Sequence, residues 1–150
     1  MVERGTGLLS LMTVLSQPER LALLAAARDA ALHAYCPYSR FPVGAAVLTD
    51  RGEIYSGCNV ENASYGLTVC AERNAVFQAV ARGTGPLRIQ AMLIYAPAKS
   101  PTAPCGACRQ VLYEFGPEAL IVCVGTGSEI IEASLAELLP HAFGPHNLNQ

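Results

Sequence analysis

The chain reads as one three-layer α/β/α domain built on a five-stranded mixed sheet, and three observations predict that class. Short apolar strands alternate with longer stretches of helical periodicity, the pattern of a sheet covered by helices on both faces. Only Gly125-Thr126-Gly127-Ser128 separates the last two strands. A parallel pair needs a crossover of about a dozen residues or more, so these two strands are expected to be antiparallel. Finally, 51% of the 150 residues are apolar, a composition able to bury a single core.

The elements follow in chain order. Ser16-Gln17-Pro18-Glu19 is a capping box, and Leu21, Leu24, Ala27 and Ala31 then recur at helical spacing, so a first helix is expected over Pro18 to Ala34. Pro37 and Pro42 end it. Val43 to Thr49 and Glu53 to Ser56 flank Asp50-Arg51-Gly52, which reads as a hairpin. Residues 57 to 68 form a polar loop. Val69 to Arg82 predicts a helix that is apolar on most sides and therefore central and buried. Arg88 to Tyr95 is a strand, Ala96 to Pro104 a proline-rich loop, and Cys105 to Phe115 a helix. Ile121 to Val124 and Glu129 to Ile131 are the last strands, and Ser134 to Leu139 is a short final helix. There is no internal repeat. Residues 1–15 read as an N-terminal extension and 16–150 as the domain.

Charge and cysteine usage narrow the function class. The net charge is −2 and the ten basic residues are scattered. Affinity for a phosphate backbone is built from clustered Lys and Arg, so a large nucleic-acid footprint is not expected. No apolar run reaches the roughly 18 residues needed to cross a bilayer. Leu8 to Leu15 is too short and follows Glu3 and Arg4 rather than a basic cluster, which argues against a secretory signal. Six cysteines without such a signal point to reduced thiols used for metal in a cytoplasmic enzyme.

The chemistry is carried by a divided motif, Cys70-Ala71-Glu72 and Pro104-Cys105-Gly106-Ala107-Cys108. Three thiolates and one carboxylate at these spacings describe a zinc site without a fourth protein ligand, and such a site keeps a position for water. Cys105 and Cys108 lie at i and i+3 in a helix's first turn and can share an ion. Cys70 and Glu72, at i and i+2, do not face one another along a helix, but both can reach a metal lying off its N-terminal end. Zinc with three thiolates is net negative. The positive ends of two helices and the guanidinium of Arg73 are expected to offset that charge and hold the thiols deprotonated. A lone Cys-x-x-Cys also suits a redox pair, but the remote Cys-x-Glu argues for metal. Glu72 also suits a helix-start carboxylate held by the dipole. Cys36, Cys58 and Cys123 lack ligand spacing and read as packing residues, and His33, His141 and His146 as surface or packing residues.

With those residues in view, the chain resembles the small homotetrameric cytidine deaminases of the cytidine and deoxycytidylate deaminase superfamily. Cys-x-Glu with Pro-Cys-x-x-Cys, three-Cys variant included, is the general signature of zinc-dependent base deaminases. Further blocks extend the likeness from about Tyr38 to Leu148: Pro37 to Ala46, Gly57 to Tyr65, Cys105 to Gln110, and Leu138 to Phe143. The resemblance implies a cytidine deaminase-like sandwich that converts cytidine and 2'-deoxycytidine to the uridines with release of ammonia, in pyrimidine salvage. It implies one Zn2+ per subunit on Cys70, Cys105 and Cys108, and proton shuttling by Glu72. It further implies ribose contacts by Asn59 and Glu61, base packing by Phe41, and places for Tyr65 and Ala71 in the substrate-binding set. Phe143 resembles an aromatic residue that stacks on the base bound by a neighbouring subunit, which implies active sites shared across a homotetramer.

Three other readings stay open on sequence. A polynucleotide deaminase would be expected to show basic clusters and a helix between the last two strands. A deaminase of cytosine antibiotics fits the metal pattern, although the Asn59-Val60-Glu61-Asn62 block favours a plain ribose. A zinc-stabilised binding module would not need Glu72.

Overall fold

A computed structural model describes residues 14–149. Helix α1 (Gln17–Leu32) leads into strands β1 (Gly44–Thr49) and β2 (Ile54–Cys58). Then come α2 (Ala71–Arg82), β3 (Ile89–Tyr95), α3 (Gly106–Phe115), β4 (Leu120–Val124), β5 (Ile130–Ser134), and two single turns, α4 (Leu135–Leu138) and α5 (Pro145–Leu148). The five strands form one sheet in the order β2-β1-β3-β4-β5. Pairing is antiparallel except between β3 and β4, which run parallel with α3 as their crossover. The last pair, β4 and β5, is antiparallel as its four-residue connection requires.

Alternation along the strands divides the core into two layers. Ala46, Leu48, Ala91, Leu93, Leu120 and Val122 meet Leu23 and Ala27 of α1 on one face. On the other, Ala45, Val47, Met92, Ile94, Ile121 and Cys123 meet Ala71, Ala75, Val76 and Ala79 of α2 and Leu112 of α3. The capping box at Ser16 forms as expected, its hydroxyl accepting from Glu19 N and the Glu19 carboxylate accepting from Ser16 N. At the hairpin, Gly52 takes φ +77° while Thr49 Oγ1 accepts from the amides of Arg51 and Glu53. A left-handed residue there suits glycine.

Some elements differ from the sequence reading. Helix α2 is buried on one face only: Phe77 and Val80 are 50% and 55% exposed, because a helix lying on a single sheet turns only part of its circumference to the core. Strand β5 runs on to Ser134, drawn out by pairing with the whole of β4. A 3-10 turn at Tyr65–Leu67 and helix α5 interrupt segments with no periodic apolar pattern. Of the proposed N-terminal extension, residues 1–13 lie outside the described residues. Leu15 is buried in the α1 layer.

The topology gathers one edge of the sheet into a site. Register places Gly44 opposite both Cys58 and Tyr95, so the start of β1 and the ends of β2 and β3 lie side by side. The starts of α2 and α3 arrive at this same edge. Gly57 permits the approach of α2: a Cβ there would come within 2.4 Å of Ala75 N and 2.9 Å of Ala71 O. Asn74 Nδ2 adds a 2.8 Å bond to Cys58 O.

Candidate active site

Cys70 is the N-cap of α2 and Cys105 the N-cap of α3, and neither thiol spends its lone pairs on a capping bond. Cys108 lies one turn into α3. The three sulfurs all come within 4.8 Å of one another. Cys70 Sγ and Cys105 Sγ are 3.9 Å apart. That is far beyond a disulfide bond, and it matches the roughly 3.8 Å edge of a tetrahedron with metal–sulfur bonds of about 2.3 Å. Zinc fits this donor set, and among the described residues no other cluster of potential ligands forms.

The electrostatics support that fit. Arg73 Nη2 donates to Cys70 Sγ at 3.3 Å, while its Nε is buried without a partner. The Cys70 thiol is pulled down to about 5, chiefly by its hydrogen bond with Cys108 and further by Arg73. Cys108 moves the other way, pushed up by the same hydrogen bond and by burial. The two shifts have one cause, a proton held between the paired sulfurs. A cation replaces that proton, which is how thiolate sites couple metal binding to proton release.

Glu72, in the first turn of α2, is only 5% exposed. Loss of solvent holds its carboxyl up at about 6, with the Cys70 charge adding to the rise. A group poised there can both take and give a proton near neutral pH.

The cavity in front of these groups has a volume of about 440 Å³ and is lined by Ser39, Phe41, Val43, Asn59, Thr68, Cys70, Ala71, Glu72, Thr102, Ala103 and Cys105. The structure thus brings Phe41, Asn59, Ala71 and Glu72 together with Cys70 and Cys105. Glu61 and Tyr65 line an adjoining cleft of about 380 Å³ with Tyr38, Ser39 and Thr68. Ser39 and Thr68 belong to both spaces. Tyr65 is largely exposed and meets Tyr38 edge to face at 5.8 Å between ring centroids. Phe143 is 59% exposed and lines neither space.

Asn59 and Glu61 already hold the loop that forms the cavity wall. Asn59 Oδ1 accepts from Val43 N and its Nδ2 donates to Phe41 O, both at 2.8 Å. Glu61 accepts from Tyr38 N at 2.8 Å and from Ser39 N at 3.2 Å. Bonding to Ser39 in particular holds its carboxyl below the usual range. Sequence reasoning missed Ser39, Val43, Thr68, Thr102 and Ala103 as wall residues. Their signal was adjacency: Thr102 and Ala103 directly precede Pro104-Cys105, and Thr68 stands two residues before Cys70.

Residues 18–124 match the family model described as the cytidine and deoxycytidylate deaminase zinc-binding region. Cytidine deaminase of Sporosarcina psychrophila is 44% identical over 128 residues, covering 85% of this chain and 93% of the relative. The chain belongs to the cytidine deaminase family. The Halalkalibacterium halodurans cytidine deaminase is 46% identical over 132 residues, covering 87% of this chain and 98% of its own. Among solved structures, the cytidine deaminase of Burkholderia pseudomallei superposes with a TM-score of 0.78 at 45% identity, over 86% of this chain and 100% of that one. As a cytidine deaminase the protein is an enzyme, a hydrolase of a C–N bond. The matched zinc-binding region spans all three clustered cysteines and Glu72 and stops short of Phe143.

Proposed function

We propose that this deaminase hydrolyses cytidine and 2'-deoxycytidine to uridine and 2'-deoxyuridine with release of ammonia, serving pyrimidine salvage in the cytoplasm. The observation that carries the reading is the placement of Glu72, buried with its carboxyl held up to about 6 in the wall that also presents Cys70 and Cys105.

Cys70, Cys105 and Cys108 hold one zinc ion per subunit. When bound, zinc supplies Lewis acidity, which lets a water molecule lose a proton near neutral pH. Glu72 takes that proton and delivers it to ring nitrogen N3 while the water oxygen bonds to C4; it then takes the proton of the new C4 hydroxyl and gives it to the amine, whose bond to C4 breaks as the carbonyl forms and ammonia leaves. Arg73 offsets the negative charge of the thiolates. Phe41 and Ala71 pack the base. Asn59 and Glu61 face the ribose: a carboxylate has about four lone-pair sites and an amide oxygen two, so each keeps acceptor capacity beyond its bonds to the loop. Tyr65 closes the ribose side of the adjoining cleft.

The active species is a homotetramer with shared sites. Phe143 supports this, being exposed and absent from the cavity wall of its own chain. It stacks on the base bound by a neighbouring subunit. All six cysteines are free, which suits a reducing compartment, and no helix among the described residues is long and apolar enough to cross a membrane.

The test is purification without added metal, with zinc quantified and ammonia release measured on cytidine, deoxycytidine, cytosine and cytidine monophosphate. Both nucleosides should turn over. Cytosine forfeits the ribose contacts that help orient the reacting ring, and the monophosphate carries charge into a pocket that already holds Glu72, so both should be poor substrates. Robust turnover of the monophosphate, or full activity in zinc-free protein, overturns the reading.

A further inference from the structure

We infer that Gln110 is a positioning residue that sets the place of Phe143, so that the helix bearing two of the metal-site cysteines also fixes the aromatic residue offered to a neighbouring copy. The inference rests on the reading of Phe143 as a substrate contact. Gln110 Nε2 donates to Phe143 O at 2.8 Å. One residue earlier, Arg109 bridges the two ends of the arrangement: its Nε donates to Pro104 O, just ahead of Cys105, and its Nη1 to Leu138 O, at the end of α4, both at 2.8 Å. One turn beyond Gln110, Tyr113 supports the same segment. The chain crosses its ring at Gly144, where a Cβ would come within 2.5 Å of Tyr113 Cε1, and His146 meets the ring edge to face with centroids 6.5 Å apart. Gln110 and Tyr113, at i and i+3, lie on one face of α3.

The segment has little else to hold it. Helix α5 buries none of its residues, and Gly144 is the buried point of the final turn. His141 takes φ +53°, a left-handed conformation that a non-glycine residue adopts at a cost. The Phe143 ring therefore stands out in solvent while its own carbonyl is tied to α3. A long exposed aromatic tip on a loose strand would lose affinity to the entropy of ordering it; tying the backbone removes part of that cost before a ligand arrives.

The test uses the zinc-loaded enzyme and three variants: Gln110→Met, which keeps length and removes the donor, Phe143→Ala, and the double variant. Gln110→Met should raise KM for cytidine about two- to tenfold, the worth of one net hydrogen bond. Its kcat should stay within about twofold and its zinc content should equal wild type. Amide exchange over residues 139–149 should be faster. Added to Phe143→Ala, the same change should raise KM no further, because its effect passes through Phe143. The inference is overturned by wild-type exchange over 139–149, by a KM increase that multiplies in the double variant, or by a fall in kcat together with zinc loss. If Phe143→Ala leaves KM unchanged, the reading of Phe143 as a substrate contact fails by itself. Exchange over 139–149 in Gln110→Met then decides whether Gln110 holds the segment.

Discussion

At the scale of the residue, the proton shuttling proposed for Glu72 is work that a metal alone cannot do. Glu72→Gln keeps the shape of the side chain and removes its capacity to carry a proton, so zinc should remain while kcat falls by about a hundredfold to ten-thousandfold. Near-normal turnover in a zinc-replete Glu72→Gln protein would refute proton shuttling. The same residue makes a signed prediction about stability in metal-free protein. Its carboxyl is raised in the folded state from the ordinary 4.5 to about 6. Between those values the folded state binds more protons than the unfolded one, so stability is fully present below about 4.5 and is lost as pH rises through about 6. The burden at neutral pH is about 2 kcal/mol. Glu72→Gln should therefore melt higher than wild type at pH 7 in the metal-free form, and the two melting temperatures should converge by pH 4. An equal difference at both pH values would show that Glu72 is not charged and buried in the fold.

At the scale of the element, α2 and α3 start where their cysteines cluster, and the proposed zinc would tie them there. Cys70→Ala should lose zinc and lower the melting temperature by about 5–10 °C, the effect of losing a ligand present about a hundredfold above its dissociation constant. Cys123→Ala should keep zinc: that thiol is buried in the core, pushed up to about 12 by desolvation, and stands away from the cluster. Metal analysis and melting curves on the two variants decide between these outcomes. The seat of α2 on β2 makes a separate prediction. Gly57→Ala puts a methyl group against the backbone of Ala71 and Ala75, which should cost about 1–3 kcal/mol as overpacking. Activity should fall with it, since the shifted helix carries Cys70 and Glu72. Unchanged denaturant midpoint and unchanged kcat would mean that the approach of the two elements is not tight.

At the scale of the whole molecule, the proposal of shared sites predicts complementation. Phe143→Ala leaves a subunit with Glu72 but no aromatic residue to lend, and Glu72→Gln leaves one with the reverse. Mixed and reassembled, and assayed at cytidine well below saturation, the nearly inactive Glu72→Gln protein and the weakly binding Phe143→Ala protein should together exceed the sum of their separate rates, because some sites then pair an intact Glu72 with an intact Phe143. Activity that stays at the sum of the separate variants, or a fully active monomer by sedimentation, would count against sharing.

The sequence alone determined the local features. The capping box at Ser16, the hairpin at Gly52 and the antiparallel close of the sheet follow from short-range stereochemistry that no distant contact overrides. The cysteine pair of α3 was legible because i and i+3 on one turn is a fixed distance. The remaining facts depend on chain segments far apart in sequence, and only tertiary structure decided them. The divided motif already grouped Cys70 with Cys105 and Cys108; tertiary structure added their geometry, with Cys70 Sγ and Cys105 Sγ 3.9 Å apart. The opposite shifts of Cys70 and Cys108 arise from their contact and from burial. Asn59 and Glu61 bind the loop of Tyr38 to Val43 because that loop folds back over them. Burial of α2 on one face alone was hidden for the same reason: periodicity records which side chains are apolar, whereas the surface that covers them belongs to other parts of the chain or to another copy.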